Sequence, residues 1–218
     1  MMTIKKNLDR TLKHRRSFIT AFMFFAIALS AGFLPPSSSF AASPVESMVA
    51  KFGNRVIKIL ASNGSVSQQE KQFRSIFLRN ADISTIGRFT LGKYARTIKA
   101  SQRRQFHKLL GRFIVKVFIG RMKGTKSSGL KIIGTTERKK GRDFLVKSLV
   151  NIPGDAPVRV NWRVFRNRSG RLKLFDISIE GLWLAQEQRS TFVNIISRNN
   201  GNISALLTHL KQQIAKSG

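Results

Sequence analysis

The chain has 218 residues, with 40 Lys plus Arg against 10 Asp plus Glu, a formal net charge of +30, and no cysteine. A disulfide framework, thiol catalysis and cysteine-based zinc sites are therefore excluded, and stability has to come from packing. So large a positive charge repels itself and favours polyanionic surroundings, whether nucleic acid or anionic lipid headgroups.

Residues 1–41 read as a cleaved export signal. Lys5, Lys6, Arg10, Lys13, Arg15 and Arg16 precede an apolar run from Phe18 to Leu34, and the segment ends in Ser39-Phe40-Ala41-Ala42. Cleavage near Ala41 leaves Ser39 and Ala41 as the small residues a peptidase requires. A retained anchor is the alternative, since the apolar run of about 17 residues is near the lower limit for a bilayer span. Pro35-Pro36 and the serines after it favour cleavage. Arg15-Arg16-Ser17-Phe18-Ile19 also has the form of a twin-arginine signal. Residues 42–218 then suit one domain with a sizeable core and a net charge of about +25.

Ser43-Pro44-Val45-Glu46 combines a capping serine, a proline at the first helical position and a glutamate three residues after the cap. Val45, Met48, Val49, Phe52, Val56 and Leu60 continue at helical spacing to about Ala61. Ser67-Gln68-Gln69-Glu70 offers a second cap before Phe73, Ile76 and Phe77, and Asp82 a third before Ile83, Ile86 and Phe89. The longest helix starts at Ser101, with Phe106, Leu109, Leu110, Phe113, Ile114, Val117 and Phe118 as its apolar stripe.

Past Gly124 the hydrophobic period changes to 2. Leu130–Thr136, Asp143–Ile152, Val158–Asn167 and Arg171–Gly181 are predicted as four strands joined by turns at Gly141, Pro153-Gly154-Asp155 and Asn167-Arg168-Ser169-Gly170. In the third, Val158, Val160, Trp162 and Val164 alternate with Arg159, Asn161 and Arg163, giving one buried and one wet face. The fourth is apolar on both sides, with Leu172 and Leu174 opposite Phe175, Ile177 and Ile179, so both its faces should be covered. Helices follow over Glu187–Arg198 and, capped by Asn202, through Ile203, Leu206, Leu207, Leu210 and Ile214. The fold class is α+β: N-terminal helices, a four-stranded antiparallel curved sheet and two C-terminal helices.

Bond chemistry has little to work with. His107 and His209 stand far apart without a second ligand at metal-binding spacing, and there is no nucleophile elbow, P-loop or dinucleotide-binding glycine pattern. Asp176 and Glu180, on one strand face, would lie about 13 Å apart, too far to share a small reaction centre. No enzyme, metal site or cofactor is expected.

Three segments carry a family resemblance: Leu91-Gly92-Lys93-Tyr94-Ala95-Arg96, Phe175-Asp176-Ile177-Ser178-Ile179-Glu180-Gly181 and Gln188-Arg189-Ser190-Thr191-Phe192. In this order and separation they resemble the periplasmic phospholipid-shuttle proteins of the Mla pathway, known also as the toluene-tolerance family of ABC-transporter auxiliary components. The resemblance implies a periplasmic carrier without a cofactor, holding a phospholipid by its acyl chains in an apolar cavity between helices and sheet. It implies exchange between an outer-membrane lipoprotein complex and an inner-membrane ABC transporter with its substrate-binding subunit, with transient contact to anionic membrane surfaces. A polycyclic lipid such as a hopanoid is the alternative cargo within the family. Ala95 departs from the pattern, which commonly has a bulky aromatic there, as does Leu182-Trp183-Leu184, where smaller or polar residues are common.

On that reading the expected cavity lining is Phe106, Leu110, Phe113 and Val117 on the long helix, Val146, Trp162, Leu174 and Ile177 on the sheet, and Tyr94 and Trp183 nearer the entrance. Arg96 and Arg189 are expected at the mouth, with an ion pair to Glu180 or Asp176 as the alternative role of Arg189. A different class of function, an exported module binding nucleic acid or an anionic surface polymer, rests on charge alone. Nucleic acid is disfavoured after export, where lipid headgroups are the more available anion.

Overall fold

Two reciprocal capping boxes start the helical half. In the computed structural model, which describes residues 42–122 and 126–216, α1 (Pro44–Leu60) begins at Ser43, whose hydroxyl accepts from the Glu46 amide at 3.3 Å. The Glu46 carboxylate accepts in turn from the Ser43 amide at 3.1 Å and from the Thr135 hydroxyl at 2.7 Å. The Thr135 bond, more than any other contact, holds the Glu46 carboxyl below its ordinary pKa. The export signal expected at 1–41 lies outside the described residues.

α2 (Val66–Asn80) is capped by Ser65 with Gln68, so the cap is two residues ahead of the Ser67–Glu70 pair with the same spacing. This earlier start turns Gln69 inward, where its amide donates to the Leu60 and Ser62 carbonyls at 3.5 and 3.1 Å and serves the open end of α1. Asp82 caps α3 (Ile83–Thr90) by accepting from the Thr85 amide at 3.0 Å, and a 3₁₀ turn over Gly92–Ala95 leads towards α4 (Ala100–Met122). α4 is apolar on more than one side because it is packed by α6 on one flank and α2 on the other. Among the described residues, no helix is long and apolar enough to cross a membrane.

The sheet is an antiparallel meander of five strands, not four: β1 (Gly129–Lys139), β2 (Asp143–Asn151), β3 (Val158–Arg166), β4 (Leu172–Ile179) and β5 (Leu182–Trp183), in that spatial order. The predicted fourth strand ends at Ile179. Glu180 and Gly181, with φ of 47° and 88°, form a two-residue turn that sends Leu182 and Trp183 back against Ile179 and Ser178. A strand of two residues is too short to show alternation, which is why the pattern hid it.

Register shifts at Ile132/Gly134 and Glu137/Lys139 in β1, and opposite Arg163/Val164 in β4, curl the sheet. The last one reassigns faces. Leu174 lies opposite Val164 and Ile177 opposite Trp162, so Leu174 shares the inner face with Ile177 and Ile179 instead of opposing them. The extra residue, Phe175, turns outward with Asp176. α5 (Leu184–Arg198) and α6 (Ile203–Lys216) close the fold, α5 starting three residues before the expected Glu187 and Asn202 accepting from the Ser204 amide at 2.9 Å.

Candidate functional site

α1, α2 and α4 stand over the inner face of the sheet without filling the space beneath them. A hollow of about 490 Å³ remains, walled by Phe52, Gly53, Val56, Ile57 and Leu60 of α1, Phe73 and Phe77 of α2, and Phe113, Ile114, Val117, Phe118 and Met122 of α4. The sheet contributes Leu130, Val150, Val158, Val160, Trp162, Ile177 and Ile179. Many of these are only half-buried although they point inward, among them Val117, Phe118, Leu130, Val150, Val158 and Ile177. An apolar side chain at the centre of a packed fold has no accessible surface; these retain it because the hollow is open. Among the described residues, the polar side chains on the wall are Arg121, Ser127 and Gln188, and the exposed wall residues Arg121 and Leu182 mark where it meets solvent.

Trp162 is held in the wall by a buried relay: its indole N–H donates to the Ser148 hydroxyl at 2.8 Å, and that hydroxyl donates to the Val160 carbonyl at 2.9 Å. Its ring meets Phe52 edge-on at 6.0 Å. The one polar pair in this part of the wall is thereby satisfied internally and presents only hydrocarbon to the hollow.

The expected lining residues divide into two groups. Phe113, Val117, Trp162 and Ile177 are on the wall. Phe106, Leu110 and Val146 have no exposure and Leu174 only 3 %, and all four lie in packed core away from the wall. For Phe106 the reason is α5, whose Phe192 ring sits 6.1 Å away and takes the place expected to be empty. Trp183 pairs with Ser178 in β5 off the wall, while its neighbours Leu182 and Leu184, also part of the departure from the family pattern, are on it. Arg121, Leu182 and Gln188 were missed because single residues at helix ends and in a two-residue strand leave no periodic signal.

Tyr94, Arg96 and Arg189 are not on the wall. Tyr94 is half-buried beside Gly201 of the α5–α6 turn, and Arg96 is exposed. Arg189 donates to the Phe89 carbonyl at 2.9 Å and lies over the Phe89 ring at 5.0 Å, so it makes neither the mouth contact nor the ion pair expected of it. It caps the end of α3, where carbonyls lack helical partners.

The three motif segments meet at this point. Phe175 packs edge-on against Phe89 at 5.2 Å and carries the Arg163 guanidinium over its ring at 5.1 Å. Gly92, at φ 56°, lets α5 approach so closely that a Cβ there would stand 2.9 Å from Val193 and 3.5 Å from the Arg189 guanidinium. Asp176 accepts from the Ala185 amide at 2.8 Å and so caps the start of α5, whose own N-cap residue, Trp183, offers no side-chain acceptor. Burial raises the Asp176 pKa, opposed by the Ala185 and Ile177 amides and by the Arg163 charge. Glu180 accepts from the Arg159 amide at 2.5 Å and ties the β4–β5 turn to β3. Asp176 and Glu180 therefore each have a structural task, and among the described residues no cluster of three His, Asp or Glu could hold a metal ion.

The comparisons with known proteins fit this geometry. A solved structure of a phospholipid-binding protein from Ralstonia solanacearum, in complex with a phospholipid, superposes with a TM-score of 0.70 at 20 % identity, covering 78 % of this chain and 97 % of that one. At that identity the likeness is one of fold. No curated protein sequence matches the chain. The family described as MlaC protein matches residues 50–212, which takes in the greater part of α1, all three motif segments and most of α6, and the chain belongs to that family.

Proposed function

We propose that this protein is a periplasmic carrier that binds a phospholipid by its acyl chains in the hollow beneath α1, α2 and α4, and passes it between an outer-membrane lipoprotein complex and an inner-membrane ABC transporter. The observation that carries the reading is the hollow itself: about 490 Å³ of apolar space, within the range of ligand sites, kept open at the centre of a fold that is otherwise well packed. Roughly 30 methylenes of two chains, at about 0.8 kcal/mol each, make about 25 kcal/mol that a carrier must offset by excluding water. Hydrogen bonds at about 0.5–1.5 kcal/mol apiece do not supply this, whereas an aromatic and aliphatic wall does. The phospholipid held by the Ralstonia protein supports the choice of ligand.

In this reading Phe113, Val117, Trp162 and Ile177 contact the chains, and Arg121 with Gln188 lies nearest the headgroup. Protein purified gently from the periplasm should yield phospholipid at close to one per chain by lipid mass spectrometry. Val117→Trp should narrow the hollow and lower the lipid retained while the melting temperature is kept. Protein that is folded, never delipidated and still empty would sink the reading; a polycyclic lipid in its place would change the cargo.

A further inference from the structure

On the outer side of the α1–α2 pair lies a second cleft, of about 650 Å³ and opposite in character. Its rim carries Lys51, Arg55 and Lys58 on α1 and Arg79 on α2, all exposed, and among the described residues its lining contains no carboxylate. Lys51, Arg55 and Lys58 are spaced i, i+4, i+7 on one helix face and span about 10 Å along the axis. Like charges at this spacing repel each other, a cost that an anionic occupant removes. The carboxylates on the same two helices are engaged elsewhere: Glu46 with Ser43 and Thr135, and Glu70 with Lys116.

We infer that this cleft is a docking site for an acidic helical segment of a partner protein. A helix laid along α1 presents carboxylates with the same i, i+4, i+7 spacing, so each can meet one cation. A flat bilayer would meet only the rim cations and leave the concave space between the two helices unfilled. Single-stranded nucleic acid is held by stacking on open aromatic faces, and the one aromatic ring here, Phe52, is 5 % exposed. A lone phosphate would engage one end of a charge row this long and leave the rest unmatched. The inference goes beyond the carrier reading and does not rest on it, since the cleft and the hollow use different residues of the helix pair and share only Phe52.

Fluorescence anisotropy tests it, with the full exported chain and a dye-labelled helical peptide bearing Glu at i, i+4 and i+7, at physiological salt. The peptide should bind the unmodified protein, and the double variant Lys51→Glu/Arg55→Glu should weaken binding roughly tenfold. Lys131→Glu/Lys147→Glu, an equal charge change at exposed positions on the sheet, should alter it by less than about threefold. If the Glu pair disturbs folding, Lys51→Gln/Arg55→Gln should still weaken binding. Absence of peptide binding, or equal losses in the cleft and sheet variants, overturns the inference. So does selective loss of phosphatidylglycerol vesicles or single-stranded DNA, instead of peptide, on changing Lys51 and Arg55.

Discussion

Two neighbouring regions of this protein are both rich in phenylalanine and are packed to opposite extremes. Where α3, β4 and α5 meet, Arg163, Phe175, Phe89 and Arg189 follow one another in contact at 5.0 to 5.2 Å, the two rings edge-on, and a single added Cβ at Gly92 would collide with the next helix. Under α1, α2 and α4, the rings of Phe73, Phe77, Phe113 and Phe118 surround a space they do not fill. The difference lies in what shares each region. The junction contains a left-handed glycine, a buried carboxylate serving helix amides and a guanidinium on a carbonyl, each of which fixes a distance. The wall has almost none of these, and residues asked only to be apolar can enclose a void as readily as fill one.

If that contrast is right, substitutions at the solid side should cost stability and spare lipid. The largest effect is expected from Phe106→Ala, with no exposure and packed against Phe192: about 3–5 kcal/mol lost in denaturant unfolding, with lipid per folded molecule unchanged. A loss below about 1 kcal/mol would mean the region is loose after all. Next, Arg189→Ala should cost about 1.5–3 kcal/mol through its charged bond to the Phe89 carbonyl. Lys at that position should recover only part, since it lacks the planar fork over the ring. A selective loss of lipid without destabilisation would return Arg189 to the mouth. Gly92→Ala should cost about 1–2 kcal/mol from the left-handed backbone, to which the clash of its Cβ with Val193 adds.

The smallest effect is a pH slope. Burial raises the folded-state pKa of Asp176, so the stability this group contributes is fully present below the ordinary aspartate value of 3.8 and is lost as pH rises through the raised value. Asp176→Asn keeps an oxygen for the Ala185 amide and cannot ionise. Its stability relative to the unmodified protein should therefore improve as pH rises through that window, read as urea midpoints at several pH values; an unchanged difference would show that Asp176 ionises in the fold at no cost.

Much of this architecture was legible because local chemistry declares it. The Ser43–Glu46 box, Asp82, the stripe of α4 and the change from helical to alternating period each placed an element within a few residues. The errors arose where two local solutions had equal spacing or where one residue changed the phase. Ser67–Glu70 is as good a capping pair as Ser65–Gln68 until Gln69 is seen reaching the end of α1. The bulge at Phe175 moved Leu174 to the inner face, and no alternation rule anticipates an inserted residue. Division of the α4 stripe into Phe106 and Leu110 in the core and Phe113 and Val117 on the wall depends on how far Phe192 reaches across from α5, a tertiary fact that neither helix carries alone.

Trp162 gives the hollow an optical readout. The chain has two tryptophans, and this one faces the apolar space with its indole N–H tethered to Ser148, so its ring cannot swing out to seek water. Its emission colour should follow whatever occupies the hollow, to the blue when hydrocarbon is present and to the red when solvent enters. Loading and release could then be timed in a stopped-flow instrument without attaching any dye, with Trp183→Phe removing the second source of light.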